Sequence, residues 1–177
     1  RKFERNSGLL EGGIGILAAL MLMFAFVFRD VLIALFAAWL IVNLRMAALS
    51  AGWDTQILEQ AIPAQWLVPM RALTVAAFYA LSIAVFRCMF RSELPLIGGR
   101  WAIRYLEWSA LPVLIAAIVL PFQRFLPIIW VASILAVMAV AFLLYRILRY
   151  ARSFIAVCYA ISMAVILGAS IVEVVAA

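Results

Sequence analysis

The chain has 177 residues, 70% of them hydrophobic, with a mean hydropathy of +1.21 and a net charge of +6. A soluble domain is only about 45–50% apolar, so a water-soluble fold is excluded. The basic residues sit between apolar runs, which points to anchoring against anionic lipid headgroups and away from nucleic acid.

Six apolar runs are visible, each near the roughly 20 residues that a helix needs to cross a 30 Å hydrocarbon core. The remaining loops and ends are too short for a second folded domain. The expected fold is therefore all-α: a single polytopic membrane helix bundle over residues 1–177. The start at Arg1 and the apolar ending Val174-Val175-Ala176-Ala177 are what a piece of a longer protein would show.

The first span is expected over 8–28. Gly8 and Gly12 form a GxxxG pair, and Gly15 with Ala19 extends it, so close helix packing is expected there, mostly within the chain. Arg29-Asp30 makes a tight turn into the second span, 31–50, which holds Asn43 and Arg45 near its far end. The following loop, Ala51 to Gln65, has two carboxylates, no Lys or Arg, and Trp53 and Trp66 at its borders, as in an interfacial aromatic belt. The third span, 69–89, carries Arg71 in its first turn and Arg87 at its exit.

The segment SELPLIGGR, Ser92 to Arg100, reads as a loop because of Pro95, Gly98 and Gly99. The fourth span, 101–120, has Arg104 and Glu107 three residues apart, a spacing suited to a pair on the helix surface, and Pro112 inside, which predicts a kink. The fifth span, 127–144, starts at Pro127 and leads to a basic turn with Arg146, Arg149 and Arg152. The sixth covers 153–177 with Glu173 near its end. Tyr145, Tyr150 and Tyr159 fit interface or core positions and carry no specific signal. No internal repeat of the kind that builds transporters stands out.

Alternate loops must lie on opposite faces of the membrane. One face collects Arg29, Arg87, Arg91, Arg100, Arg104, Arg146, Arg149 and Arg152, and the other only Arg1, Lys2, Arg5 and Arg124. The positive-inside rule places the first face in the cytoplasm and the N-terminus outside. Six spans then return the chain to the outside, so a cytoplasmic module would require a seventh helix beyond Ala177.

That orientation gathers Arg45, Arg71, Glu173 and Glu11 near one outer level, with Asp54 and Glu59 in the loop above. Ionisable residues within a membrane are costly and normally face a partner or a wet cavity. One expectation is an outer pocket in which Arg45 and Arg71 grip an anionic or polar ligand, Glu173 tunes them, and Trp53 forms a wall, with Asp54 of the loop above as a further ligand-binding candidate. The other is that the arginines snorkel to headgroups or pair with nearby carboxylates.

Catalysis within the segment is not expected. The chain has no histidine, which excludes bis-histidine haem, imidazole zinc sites and histidine acid–base chemistry. Asp30 and Asp54 fall in loops on opposite faces, so no aspartate pair forms within spans. Cys88 and Cys158 have no CxxC spacing and read as small apolar fillers. No cofactor and no metal are expected.

The stretch EGGIGILAALMLMFAFVFRDVLIALFAAWLIVNLRMAALSAGW, Glu11 to Trp53, resembles the opening of the bacterial seven-transmembrane receptors with diverse intracellular signalling modules. Gly12, Gly15, the Arg29-Asp30 turn and Gly52 carry that likeness. The later layout is similar as well: FRCMFR closing the third helix, Pro95 in the next loop, RYLEW entering the fourth helix, Pro121 at its outer end, and RYARSFIAVCYAI opening the sixth. The aliphatic VLIALFAAW after the Arg-Asp turn departs from the aromatic-rich stretch usual in that family.

The resemblance implies a periplasmic sensory region and seven helices in a bacterial inner membrane. It also implies a homodimer and a cytoplasmic output in the same chain, such as a diguanylate cyclase or a histidine kinase. The stimulus would be an unidentified periplasmic ligand or protein. The alternative is a non-catalytic subunit or scaffold of a larger membrane complex. A small transporter would instead need a polar stripe through the bilayer centre of several helices.

Overall fold

Apolar surroundings offer backbone N–H and C=O groups no partner, so apolar runs of this length fold as helices that satisfy themselves. The computed structural model describes residues 2–50, 64–150 and 154–176, with side chains described for 12–48, 68–150 and 154–165. Its elements are the helices α1 (Lys2–Phe28), α2 (Val31–Ser50), α3 (Ala64–Met89), α4 (Leu94–Ile97), α5 (Arg100–Val119), α6 (Phe122–Tyr150) and α7 (Phe154–Ala176). Among the described residues there is no strand.

Four helices are long and apolar enough to cross a membrane, over Val31–Ala48, Val68–Met89, Arg100–Val119 and Phe122–Tyr150. Within the described side chains the apolar stretches of α1 and α7 are shorter, Gly12–Phe28 and Phe154–Val165. Large apolar side chains face outward in quantity, including Phe26 at 87% exposure and Ile118 at 74%. Such a surface would aggregate in water and is at home against lipid tails.

The centre is a three-helix unit of α3, α5 and α6, to which α2 adds on the α3 side and α7 on the α6 side, while α1 packs against α2. Small residues line the contacts: Ala72 and Ala76 on α3, Ala102 and Ala117 on α5, Ala136 and Ala139 on α6 are buried. Lipid gives no hydrophobic drive between helices, so close backbone approach at such residues supplies the packing. On α1, a Cβ on Gly12 would meet nothing within 4 Å among the described residues, whereas one on Gly15 would touch Leu44 of α2, and Ala18 is buried; Gly8 lies outside the described side chains.

The turns follow local chemistry. Arg29 ends α1 with φ 52°, and Asp30 caps α2 by accepting the Leu32 N–H on its side chain (2.8 Å) and the Ala34 N–H on its carbonyl (3.1 Å). Leu120, preceding Pro121, is extended, and the Pro121 carbonyl accepts the N–H groups of Arg124 and Phe125 to start α6.

Several boundaries differ from the sequence expectation, and α6 runs on to Tyr150, so that Arg146 and Arg149 lie on the helix and not in a turn. The segment taken as a loop contains one helical turn, α4, because Pro95 suits a first turn and Leu94 and Ile97 are buried there. Helices α3 and α6 begin five residues before Pro69 and Pro127 and do not start at these prolines. A proline that early frees a carbonyl of the first turn, such as that of Gln123, near the helix end where water can satisfy it.

Candidate functional site

At the middle of the bundle, uncharged polar side chains meet across helices. Trp39 of α2 donates its Nε1–H to Ser82 Oγ of α3 (2.9 Å), and Ser82 donates to its own Phe78 carbonyl (2.8 Å). One layer over, the Tyr79 hydroxyl lies 3.0 Å from Ser109 Oγ of α5 and 3.4 Å from the Ala132 carbonyl of α6. Tyr105 donates to that same carbonyl at 3.3 Å. Trp39, Tyr79 and Ser109 each fall at the mid-length of their apolar spans, so this polar layer sits at mid-depth of the helices. In hydrocarbon these groups have no water to turn to, and pairing with each other fixes the rotation of α2, α3, α5 and α6.

Helix α7 stands apart from this pairing. Its Tyr159 ring sits against Phe86 of α3 (5.6 Å between centroids, 53°) and edge-on to Phe90 (5.7 Å, 90°) just past the end of that helix, both fully buried. An apolar cavity of about 290 Å³ opens on one flank of α7, between α3 and α6, with Tyr79, Ser82, Ser133, Val140, Tyr159 and Met163 in its wall. A second, of about 300 Å³, opens on the other flank, between α2 and α3, walled by Phe36, Trp39, Ser82, Tyr159, Ser162 and Met163. Ser82, Tyr159 and Met163 border both. Each volume is close to the lower end for a small-molecule site.

Comparison with protein families, with curated proteins and with solved structures finds no match. What the site can do therefore rests on its own chemistry. The cavity walls supply hydroxyls and apolar surface, with no carboxylate or amine, so they suit binding or a packing change. Among the described residues, no three His, Cys, Asp or Glu side chains gather as a metal would require. Cys88, half-buried, and Cys158, exposed, are both free thiols.

The residues singled out from the sequence are placed as follows. Arg45 is half-buried near the end of α2 and Arg71 half-buried in α3, and both engage other groups. With α2 and α3 antiparallel and Trp39 level with Ser82, the two arginines lie toward the same end of the bundle. Trp53 and Asp54 lie outside the described residues, as do Glu59 and the loop that carries them. Glu173 lies on the described backbone of α7, with its side chain outside the described ones.

On the arginine-rich face the expected Arg104–Glu107 pair is not made. Glu107 accepts from Arg87 Nη2 of α3 at 2.7 Å, because the rotation of α5 aims it at the neighbouring helix. Arg146 lies over the Phe142 and Tyr150 rings and against the Gly98-Gly99 turn, and Arg149 bonds the Tyr145 hydroxyl at 3.3 Å. Arg152 lies outside the described residues.

Sequence reading missed the mid-bundle polar layer and the double cavity. Serines and tyrosines are dispersed singly through apolar runs, and which of them meet depends on helix rotation. The one available signal was that Trp39, Tyr79 and Ser109 share the same depth.

Proposed function

We propose that this chain is the membrane sensory domain of a bacterial signalling receptor. In this reading it crosses the inner membrane six times, using the shorter apolar stretches of α1 and α7 as first and sixth crossings, with its N-terminus in the periplasm. The output would be a cytoplasmic module such as a diguanylate cyclase or histidine kinase, reached through a seventh helix and working as a dimer. A polar or anionic ligand, or a periplasmic protein, would engage the outer end near Arg45 and Arg71, with Trp53, Asp54 and Glu173 as the further expected contacts.

The observation that supports a signalling role is the setting of α7. Helices α2, α3, α5 and α6 are tied by the polar layer, while α7, over its described side chains, buries Ala156, leans on Phe86 and Phe90 through the Tyr159 ring, and has a void on each side. Packed bundles switch between discrete arrangements through small helix shifts, and space beside one helix is what such a shift needs. A stimulus that favours one position of α7 by about 1–3 kcal/mol would be enough to bias an output.

The test begins with the native protein purified from its own membrane. Peptide mapping and intact mass that reveal a cyclase or kinase module on the same polypeptide support the proposal. A mass near 19.7 kDa with stoichiometric co-purifying membrane subunits would replace it with the accessory-subunit reading. In cells, a Phe86→Cys, Tyr159→Cys pair, with Cys88→Ser and Cys158→Ser, is then bridged by a short bifunctional thiosulfonate reagent and released by reductant. The receptor reading expects signal output to change with crosslinking, and an unchanged output would refute it.

A further inference from the structure

The outward face of α5 combines exposed arginines, indoles and an apolar stripe. At its start Arg100 and Arg104 are exposed one turn apart, and Trp101 and Trp108 flank them at 64% and 68% exposure. The arginines are two of the group gathered at one end of the bundle, and among the described residues neither meets a carboxylate. Among the described residues the nearest carboxylate in sequence, Glu107, is held by Arg87 at 2.7 Å, and Glu93 accepts from Ser92 at 2.8 Å.

Below the arginines the same face continues as an exposed apolar stripe. Trp108, Leu111 and Ile115 follow at helical spacing, with Leu111 and Ile115 each more than half exposed. From Arg100 to Leu111 this face runs roughly 16 Å at 1.5 Å per residue, from the arginine-rich end to just past the level of Ser109 at mid-depth, about one leaflet, and Ile115 continues beyond that level. At the base of this furrow Trp101 packs against Phe142 of α6 at a tilt (5.5 Å between centroids, 37°), and Arg146 lies against the Gly98-Gly99 turn preceding α5.

We infer that this furrow is a binding site for one anionic phospholipid of the leaflet at the arginine-rich end, with Arg100 and Arg104 on the phosphate and the acyl chain running along α5 to Trp108 and Leu111 at mid-depth. Two guanidinium forks one turn apart match a phosphodiester, and the indole of Trp101 beside them belongs at the depth where headgroup meets chain. Zwitterionic lipids bring a cation, which the unpaired-for-carboxylate surroundings of Arg100 and Arg104 repel. The apolar track selects a lipid over a soluble phosphate. Because Trp101 couples the site to α6, its occupancy would also brace the end of α6 from which α7 departs.

The test is native mass spectrometry of the full chain released from detergent micelles in the presence of phosphatidylglycerol, phosphatidylcholine or glycerol phosphate. Wild type should retain one phosphatidylglycerol in clear preference to phosphatidylcholine. Arg100→Gln with Arg104→Gln should weaken it about twenty-five-fold, at about fivefold per arginine near the membrane surface. The exposed pair Arg91→Gln with Arg124→Gln should leave it unchanged.

Equal retention of both lipids, full displacement by glycerol phosphate, or equal loss in the two double variants would each overturn the proposal. Trp108→Leu, which keeps the charge and an apolar side chain, should lower retention of phosphatidylglycerol several-fold. No change there would overturn the placement of the acyl chain.

Discussion

Replacing Phe86 with alanine tests how α7 is held. Phe86 is fully buried, packs against Phe90 at 5.0 Å between centroids, and meets Tyr159 of α7 at 5.6 Å. In a soluble core such a truncation costs about 3–5 kcal/mol. About 1.5–3 kcal/mol of that is transfer of the ring out of water. In a bilayer the separated helices keep the ring in hydrocarbon, so the transfer contribution drops out and packing remains. The expected loss is about 2 kcal/mol, matching two aromatic pairs at about 0.5–1.5 kcal/mol each.

Steric trapping or graded sodium dodecyl sulfate titration in bicelles measures it. A double-mutant cycle with Tyr159→Ala should return a coupling of about 1 kcal/mol, since the two rings touch. A loss of about 4 kcal/mol or more would refute the argument that transfer is absent. A coupling near zero would refute the attachment of α7 through these rings.

The remaining predictions concern turns and the polar layer, with the same unfolding assay as readout. Asp30→Ala removes the side-chain cap of α2 and should destabilise by about 1 kcal/mol, while Arg29→Gly, which relieves φ 52°, should stabilise. Gly99→Ala places a Cβ at φ 85° and 3.4 Å from Leu143 and Phe142, and should cost about 1–2 kcal/mol. Tyr79→Phe removes the bond to Ser109 and should cost about 0.6 kcal/mol, typical of hydrogen bonds between membrane helices. A loss above about 2 kcal/mol would mean that the layer acts cooperatively.

Features set by neighbouring residues in the chain were legible from the sequence. The Arg29-Asp30 turn, the Gly98-Gly99 break and the stop at Pro121 depend on local backbone chemistry, and all three fall where the sequence places them. Pairings between helices were not legible. Glu107 has Arg104 at a suitable spacing, yet its partner is Arg87, because the rotation of α5 against α3 decides the matter. In a soluble helix the apolar stripe reveals that rotation, but here inside and outside faces are both apolar, and the sequence carries little record of which is which. The same blindness hid Trp39–Ser82 and Tyr79–Ser109. The prolines misled for a related reason: Pro69 and Pro127 looked like helix starts, whereas each is tolerated one and a half turns in, near the polar end.

The central claim is that α7 occupies more than one position against a fixed core, and electron–electron distance measurement in lipid nanodiscs tests it directly. One sample carries spin labels at Cys158 of α7 and at an Arg91→Cys site beside α3, with Cys88→Ser. A reference sample carries them at Arg91→Cys and Tyr145→Cys, between α3 and α6, with both native cysteines replaced by serine. The account predicts a broad or two-peaked distance distribution for α7 and a narrow one for α6, with Phe86→Ala shifting only the first. Equally narrow distributions, indifferent to Phe86→Ala, would contradict it.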